Sequence, residues 1–388
     1  MKEDHLNIRH LMAMTAVVRS GSISAAVRSV NLTQPAITQG IAKLEAQLGA
    51  SLFDRMAGGM APTPAARLLV SRADNALRLI GSKHATAAQI RAFVALARTG
   101  SYAAAALSTG LAEASLHRAV GDLSLAMGSR LVDRRGRGVM LTRRGAEIAR
   151  NFRLALAELR SAIAEIAALR GLEVGQIVIG AMPLSRARLL PNAIAAFYRQ
   201  HPEVDLAIAE GSHAELIGPL RDGDIDFMIG ALREPSPGAD LHQMPLFDDR
   251  PVILARPGHP LVARQGRLKP VDLLSYPWIV AAEGTPLRTL WRRMFESVPV
   301  IPPHVPIECG SVITIRQLVV QTDFLTVLSP DQVAVELEAG WLVKLGDAPG
   351  DVRRTIGITC RADWRPTPMQ ERFITDLTQQ ARYVSESP

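Results

Sequence analysis

"SGSISAAVRSVNLTQPAITQGIAKLEAQLGASLFDR" occupies Ser20–Arg55, and "TGSYAAAALSTGLAEASLHRAVGDLSLAMGSRLVDR" occupies Thr99–Arg134. The two stretches align without a gap at a shift of 79 residues. Gly21 falls on Gly100, Ala25 and Ala26 on Ala104 and Ala105, Leu44 on Leu123, Gly49 on Gly128, and Asp54-Arg55 on Asp133-Arg134. Two copies are too few for a solenoid, which needs about three stacked units to bury a continuous core. The repeat is therefore a duplicated small domain.

Each copy reads as helices. Ile8, Leu11, Met12, Val17 and Val18 form an apolar face that stops at Ser20-Gly21. A short helix starts at Ser22 or Ser24 and packs Ala25, Ala26 and Val30 inward. Thr33 is placed to cap a third helix, with Pro35 in its first turn, where a missing N–H costs nothing. Ile37, Ile41, Leu44 and Leu48 then make one buried stripe, and Gly49 ends it. Short helix, turn and longer helix make a helix-turn-helix, and Thr38, Gln39 and Lys43 lie opposite the stripe, where they suit base edges and phosphates. Residues 64–81 form a helical connector, broken by "GSKHAT" before the second copy. Beyond that copy, one long helix is expected from Thr142 to Arg170. Its Ile148, Phe152, Leu156, Leu159, Ile163 and Ile166 are spaced for a helix–helix seam, or for a single core helix.

The 388 residues leave room for two to four domains. No apolar run approaches the roughly eighteen residues of a membrane span, and "MKEDHLNIRH" lacks the apolar stretch of a secretory signal. Cys309 and Cys360 form no metal or redox spacing and suit a reducing cytoplasm as buried thiols. Charge is divided unevenly. Residues 1–170 carry 23 Lys and Arg against 11 Asp and Glu, and the remainder carries 21 against 26. A basic front half points to a polyanion partner for that half alone.

From Gly175 the texture changes. "QIVIGA", "VDLAIAEG", "IDFMIGA", "RPVILARP", "PWIVAAEG", "VPIECG", "FLTVLS" and "RRTIGITCR" read as short strands. They alternate with helices such as "LLPNAIAAFYRQHP", "AELIGPLRDG", "TPLRTLWRRMFE" and "SVITIRQLVVQ". That alternation predicts parallel α/β sheets. Such sheets bind ligands beyond the carboxyl ends of their strands, at helix N-termini whose free N–H groups suit anions. Four such points carry hydroxyls: Pro183-Leu184-Ser185, Gly211-Ser212-His213, Gly284-Thr285 and Gly310-Ser311. Arg186 or Arg288 is placed to pair with an anionic ligand.

The stretch "GSISAAVRSVNLTQPAITQGIAKLEAQLGASLFDR" is similar to the helix-turn-helix signature of the LysR-type transcriptional regulators. "EVGQIVIGA", "LLPNAIAAFYRQHPEVDL", "LRDGDIDFMIGA" and "RPVILARPGHPL" resemble that family's effector domain. The resemblance implies a multidomain chain: two all-α winged helix-turn-helix units, a long linker helix, and a periplasmic-binding-protein-like α/β effector domain of two subdomains. The expected boundaries are 1–81 and 82–145 for the two units, 146–171 for a dimerising linker and 172–388 for the effector domain. Within the last, subdomain I takes about 172–248 and 352–388, and subdomain II about 249–351. It further implies double-stranded DNA and a small effector as partners, a homodimer through the linker helix and a homotetramer overall. No cofactor or metal is expected, and "PLSRARLLP" with "GALREP" points toward regulators of sugar and aromatic-acid catabolism. Family members carry one winged helix-turn-helix, so the second copy is a departure.

By the same resemblance, DNA contacts fall at Thr33, Gln34, Pro35, Thr38, Gln39, Lys43 and Arg55 in the first copy. In the second they fall at Ser115, His117, Arg118, Arg134, Arg135, Arg137 and Arg143. The copies diverge in opposite ways. The first keeps its reading helix, but its wing, "RMAGGMAPTPAARL", has little positive charge and ends Thr63-Pro64-Ala65-Ala66 where the family closes on Thr-x-x-Gly. The second has the basic wing "RRGRGVMLTRRG" with Thr142 and Gly145 in place, yet puts Glu113, Ala114 and Asp122 where the first has Gln34, Pro35 and Lys43. Carboxylates at contact positions repel phosphate, and guanidinium groups grip it. The family's effector-lining hydroxyls match Ser185, Ser212, Thr285 and Ser311, with Arg186, His213 and Arg288 beside them. No nucleophile elbow, P-loop, dinucleotide fingerprint or HExxH is present, which argues against an enzyme. The competing class is a cytosolic ligand-binding or hydrolytic α/β protein whose helical front only assembles oligomers.

Overall fold

A single kind of side chain starts nearly every helix of the basic half. Asn7, Ser22, Thr33, Thr63, Thr86, Ser101 and Thr142 each accept a hydrogen bond from a backbone N–H two or three residues on. These caps set the boundaries of α1 (Ile8–Ser20), α2 (Ile23–Val30) and α3 (Gln34–Leu48). A two-stranded wing, β1 (Phe53–Met56) and β2 (Gly59–Pro62), leads to α4 (Pro64–Ile80). The second copy repeats the order: α5 (Ala87–Thr99), α6 (Tyr102–Thr109), α7 (Glu113–Ala126), β3 (Val132–Arg135), β4 (Gly138–Leu141) and α8 (Arg143–Leu169). The computed structural model describes residues 6–386 apart from 57–58, 136–137, 265–267 and 297.

The shift of 79 residues carries over to hydrogen bonds. Met60 N–H donates to the Gly21 carbonyl at 3.4 Å, and Val139 N–H to that of Gly100 at 3.0 Å. Thr63 and Thr142 hydroxyls donate to the Ser51 and Arg130 carbonyls at 2.7 and 2.8 Å. Each unit thus adds an antiparallel β wing to its helices, and α8 continues nearly three turns past Leu159, the equivalent of the end of α4. The seam expected along α8 is filled, but from within the chain. Ile148, Phe152, Leu159 and Ile166 are all buried in one apolar core shared by both copies. Among the described residues α4 against α8 is the most extensive packing of any two elements.

After α8 the chain builds β5 (Gly175–Ala181), α9 (Leu189–Gln200), β6 (Val204–Glu210), α10 (His213–Arg221), β7 (Phe227–Ala231) and β8 (Leu241–Asp249). It crosses into a second layer with β9 (Val252–Ala255), β10 (Trp278–Val280), α11 (Pro286–Arg293), β11 (Ile307–Glu308), α12 (Val312–Gln321), β12 (Leu325–Leu328), α13 (Ala334–Glu338) and β13 (Val343–Asp347). It returns through β14 (Arg354–Arg361) and closes with α14 (Pro368–Glu386). The sheets run β6-β5-β7-β14-β8 and β11-β10-β12-β9-β13. They are mixed, where alternation alone predicts parallel sheets. β5, β6 and β7 are parallel, as are β10, β11 and β12, but the crossover strands β8, β9, β13 and β14 join antiparallel. At the two crossings Arg354 Nε donates to buried Asp249 at 2.7 Å, tying the return strand to the outgoing one.

Candidate nucleic-acid interface and effector cleft

α3 presents a clean division of faces. Ile37, Gly40, Ile41, Leu44 and Leu48 are buried, while Thr33, Gln34, Pro35, Thr38, Gln39 and Lys43 are all exposed. A Cβ at Gly40 would lie 3.0 Å from the His10 ring, so this helix seats closely on α1. Burial, then the nearby charge of Lys43, holds the His10 imidazole below its ordinary value. The Thr38 hydroxyl donates back to the Gln34 carbonyl at 3.0 Å, which fixes its rotamer and turns its acceptor side outward.

In α7, Ser115, His117 and Arg118 are exposed at the corresponding places. The His117 ring stacks on Tyr102 with centroids 3.5 Å apart, so one of its faces is occupied. α7 starts at Ala112 without a side-chain cap, and Glu113 stands in its first turn. That carboxylate complements the positive end of the helix, whereas the first turn of α3 holds no acidic residue. Asp122 is exposed.

Arg55 lies in β1 opposite Met60, and Arg134 and Arg135 lie in β3 opposite Val139 and Gly138. Arg137 falls outside the described residues. Arg143 is 95% exposed at the start of α8 and approaches Glu147 at 3.8 Å, as Arg144 does at 3.1 Å. Cations in a first helical turn oppose the helix dipole, and a bound phosphate reverses that penalty.

In the α/β half, the four hydroxyls take different situations. Ser185 is fully buried in a 3-10 turn, Pro183–Arg186, and donates to the Met182 carbonyl at 2.9 Å, closing that turn. Ser212 caps α10 in a reciprocal box with Glu215. Thr285 caps α11 and Ser311 caps α12. The two arginines read from the sequence already face carboxylates. Arg186 donates to Glu210 at 2.6 Å. Arg288 meets Glu283 at 3.0 Å and Glu308 at 3.6 Å, and lies over the Trp291 ring.

A different arginine bridges the layers. Arg233, just past β7, reaches the Gly284 carbonyl beside Thr285 at 3.5 Å, and its Nε is buried without a partner among the described residues. His213 Nε2 is likewise buried and unpartnered. Burial, then the charges of Arg233 and Arg221, pushes the His213 imidazole below its ordinary value. Burial also works against the charge on Arg233. An unpartnered guanidinium N–H and an unpartnered imidazole nitrogen are thus left buried beside the end of β7 and the start of α10. Sequence reasoning passed over Arg233, whose one signal is a lone arginine directly after the strand end "IGAL". Among the described residues no group of His, Cys, Asp and Glu is placed to hold a metal ion, and no helix is long and apolar enough to cross a membrane.

Comparisons with known proteins agree with this division. Residues 8–67 and 87–146 each match the model of the bacterial regulatory helix-turn-helix protein, lysR family. Residues 170–382 match the LysR substrate binding domain. The HTH-type transcriptional regulator GalR of Pseudomonas putida is 32% identical over 375 residues, covering 93% of this chain and 94% of its own, so that alignment spans both repeats. The SDS degradation transcriptional activation protein of a Pseudomonas species is 33% identical over 286 residues, 73% of this chain and 92% of its own. Full-length OxyR from Pseudomonas aeruginosa (24% identity, TM-score 0.54) covers 77% of this chain and 98% of its own. CbnR (18% identity, TM-score 0.54) covers 76% and 98%, and both likenesses show the shared fold. With a duplicated DNA-binding unit joined to an effector-binding domain, the chain belongs to the LysR family of transcriptional regulators.

Proposed function

We propose that the first winged helix-turn-helix reads operator sequence, and that the second adds affinity for the DNA backbone through its arginine-rich wing. The observation that carries this is the contrast at equivalent exposed positions: Gln34 against Glu113, Thr38 against His117, Lys43 against Asp122. Glutamine and threonine side chains read base edges in a major groove, and lysine meets phosphate. The test is a footprint on the DNA directly upstream of the chain's own gene. Thr38→Ala/Gln39→Ala is expected to erase it, while His117→Ala/Arg118→Ala weakens it without moving its edges. A separate protected segment lost with the second pair would refute the division of labour.

The effector in this reading is a small anionic metabolite, an aromatic or sugar acid, held between the subdomains and governing a catabolic operon in the cytoplasm. Arg233 supplies the charge complement, His213 adds an imidazole nitrogen beside it, and Ser212, Thr285 and Ser311 mark three helix N-termini whose free N–H groups suit an anion. Thermal stabilisation by such acids, lost in Arg233→Gln, is the expected result. Full stabilisation in that variant would remove Arg233 from the site. The chain is a regulator and not a hydrolase in this reading, because the Ser212 hydroxyl is engaged as the cap of α10. Substrate turnover abolished by Ser212→Ala would reverse that. The working units are 1–81, 82–145, 146–171 and 172–388, and copies assemble into oligomers through surfaces other than the filled seam of α8.

A further inference from the structure

We infer that the two winged helix-turn-helix units are paired about a local two-fold axis within one chain. One chain then presents two non-identical reading helices to one DNA duplex, as two inverted and dissimilar half-sites. The part concerning DNA rests on the function proposed above; the pairing itself does not.

In a two-fold interface, if residue i touches j, then the equivalent of i touches the equivalent of j. Asn75 on α4 donates to Glu158 on α8 at 3.0 Å. Moved by the repeat shift, these positions become Leu154 and Leu79, and those two leucines line the same small cavity as Asn75 and Glu158. A second cavity holds two more equivalent pairs, Ile8 with Ala87 and Ile80 with Leu159. The helix ends also cross between the copies, at residues that are not equivalent under the shift. Ser82, just past α4, donates to the Ala126 carbonyl at the end of α7 at 3.0 Å, and Arg170, just past α8, donates to the Leu48 carbonyl at the end of α3 at 3.3 Å. Each post-wing helix therefore runs across to the other copy's reading helix, and the two lie antiparallel. One continuous apolar core from Leu6 to Ile166 fixes both units.

The seam of α8 is thus closed by α4 of the same chain, and a second chain finds no open stripe there. Both reading helices keep their polar faces exposed on this shared core. Two-fold docking of paired reading helices places their half-sites about one helical turn apart, roughly 10 base pairs centre to centre. Because Gln34, Thr38 and Lys43 are matched by Glu113, His117 and Asp122, the two half-sites are unequal: one is read and the other is held through its backbone.

The test uses the full chain carrying Leu79→Cys and Leu154→Cys with Cys309→Ser, oxidised as an equal mixture of ¹⁴N- and ¹⁵N-labelled protein and mapped by peptide mass. Disulfides joining peptides of one isotope only are expected. Mixed-isotope disulfides would show pairing between chains, and absence of the 79–154 link would remove the pairing; either overturns the inference. The same protein is then titrated onto its footprinted upstream duplex, with or without five base pairs inserted at the centre of the protected region. Rigid pairing predicts at least a tenfold loss of affinity on insertion. Unchanged affinity would overturn the single-duplex geometry. Same-isotope disulfides with no binding to any upstream duplex would instead leave the pairing standing and refute the DNA-binding reading.

Discussion

Replacing Arg72 by methionine removes a cation that is 4% exposed and sits between two carboxylates of α8. Burial opposes its charge, but hydrogen bonds and attraction from Glu165, then Glu158, outweigh that and raise its pKa. The two carboxylates fare differently when it is gone. Glu158 keeps Asn75 at 3.0 Å and Arg365 at 2.9 Å. Glu165, among the described residues, takes its hydrogen bonds from Arg72 alone. The loss is therefore one uncompensated buried charge, about 3–5 kcal/mol. Arg72→Met/Glu165→Met removes both partners and is expected to recover to within about 1–2 kcal/mol of the original, since apolar groups of similar volume replace buried ion pairs at little cost. Urea unfolding followed by tryptophan emission reads this directly, because Trp364 lines the cavity shared by Arg72 and Glu158. A loss below about 1 kcal/mol in the single variant, or no recovery in the double, refutes the argument.

Three further predictions concern binding and packing. Arg134→Ala/Arg135→Ala should lower the slope of log affinity against log salt by roughly 0.9 for each phosphate contact removed; an unchanged slope takes these residues off the backbone. An anion bound beside His213 raises the imidazole pKa from its depressed value in the free protein, so the affinity of an anionic effector should strengthen as pH falls from 8 through the ordinary range near about 6.5. Calorimetric titration of the wild type and His213→Asn measures this, and identical pH profiles would exclude the histidine. A Cβ at Gly145 would lie 1.9 Å from the Leu131 carbonyl oxygen. Gly145→Ala is accordingly expected to destabilise by about 1–3 kcal/mol, although alanine normally gains nearly 1 kcal/mol over glycine inside a helix. A raised melting temperature would contradict it.

The helical half was legible where the physics is local. Ser22, Thr33 and Thr142 cap helices at the places their sequence suggests, and Gly49 ends α3 with φ 62°. The stripe along α8 was equally clear, but periodicity says that a face is covered and not what covers it, so α4 was not foreseen as the occupant. Two strands escaped notice. β8, "LHQMPLFDD", alternates poorly and contains Pro245 beside a register shift, while β13 is partly exposed throughout. The antiparallel crossovers were hidden for a related reason: strand direction is set by where the chain must return, which no local pattern records. At the cleft, the capping hydroxyls were visible as helix starts. Arg233 was not, since only the approach of two layers makes it matter, and the buried Ser185 was indistinguishable from an open one.

Why the copies are joined in one chain follows from what joining permits. A dimer of identical chains carries the same residue at both equivalent positions, so a change that improves one side is imposed on the other. Here the positions have parted. Phe152 packs edge-on against Phe93 at 6.1 Å, where the first copy has Ala73 and Met14. Arg72 corresponds to Asn151, and Glu158 to Leu79, so the buried ion cluster exists on one flank only. That flank is where the effector domain attaches: Arg72 donates to the Arg365 carbonyl at 2.9 Å, and Arg365 reaches Ser71 at 2.8 Å. The contact thus falls on α4, the helix that leaves the copy with the intact reading face, and through Glu158 on α8 as well. If effector occupancy shifts Arg365, the strain enters at this pair of helices. Arg365→Ala should therefore leave DNA affinity without effector within about threefold, under 1 kcal/mol, and abolish the change that effector produces. A variant that still responds fully would place the coupling elsewhere, with the ion pairs of Arg150 and Arg153 to Asp222, between α8 and the end of α10, as another route.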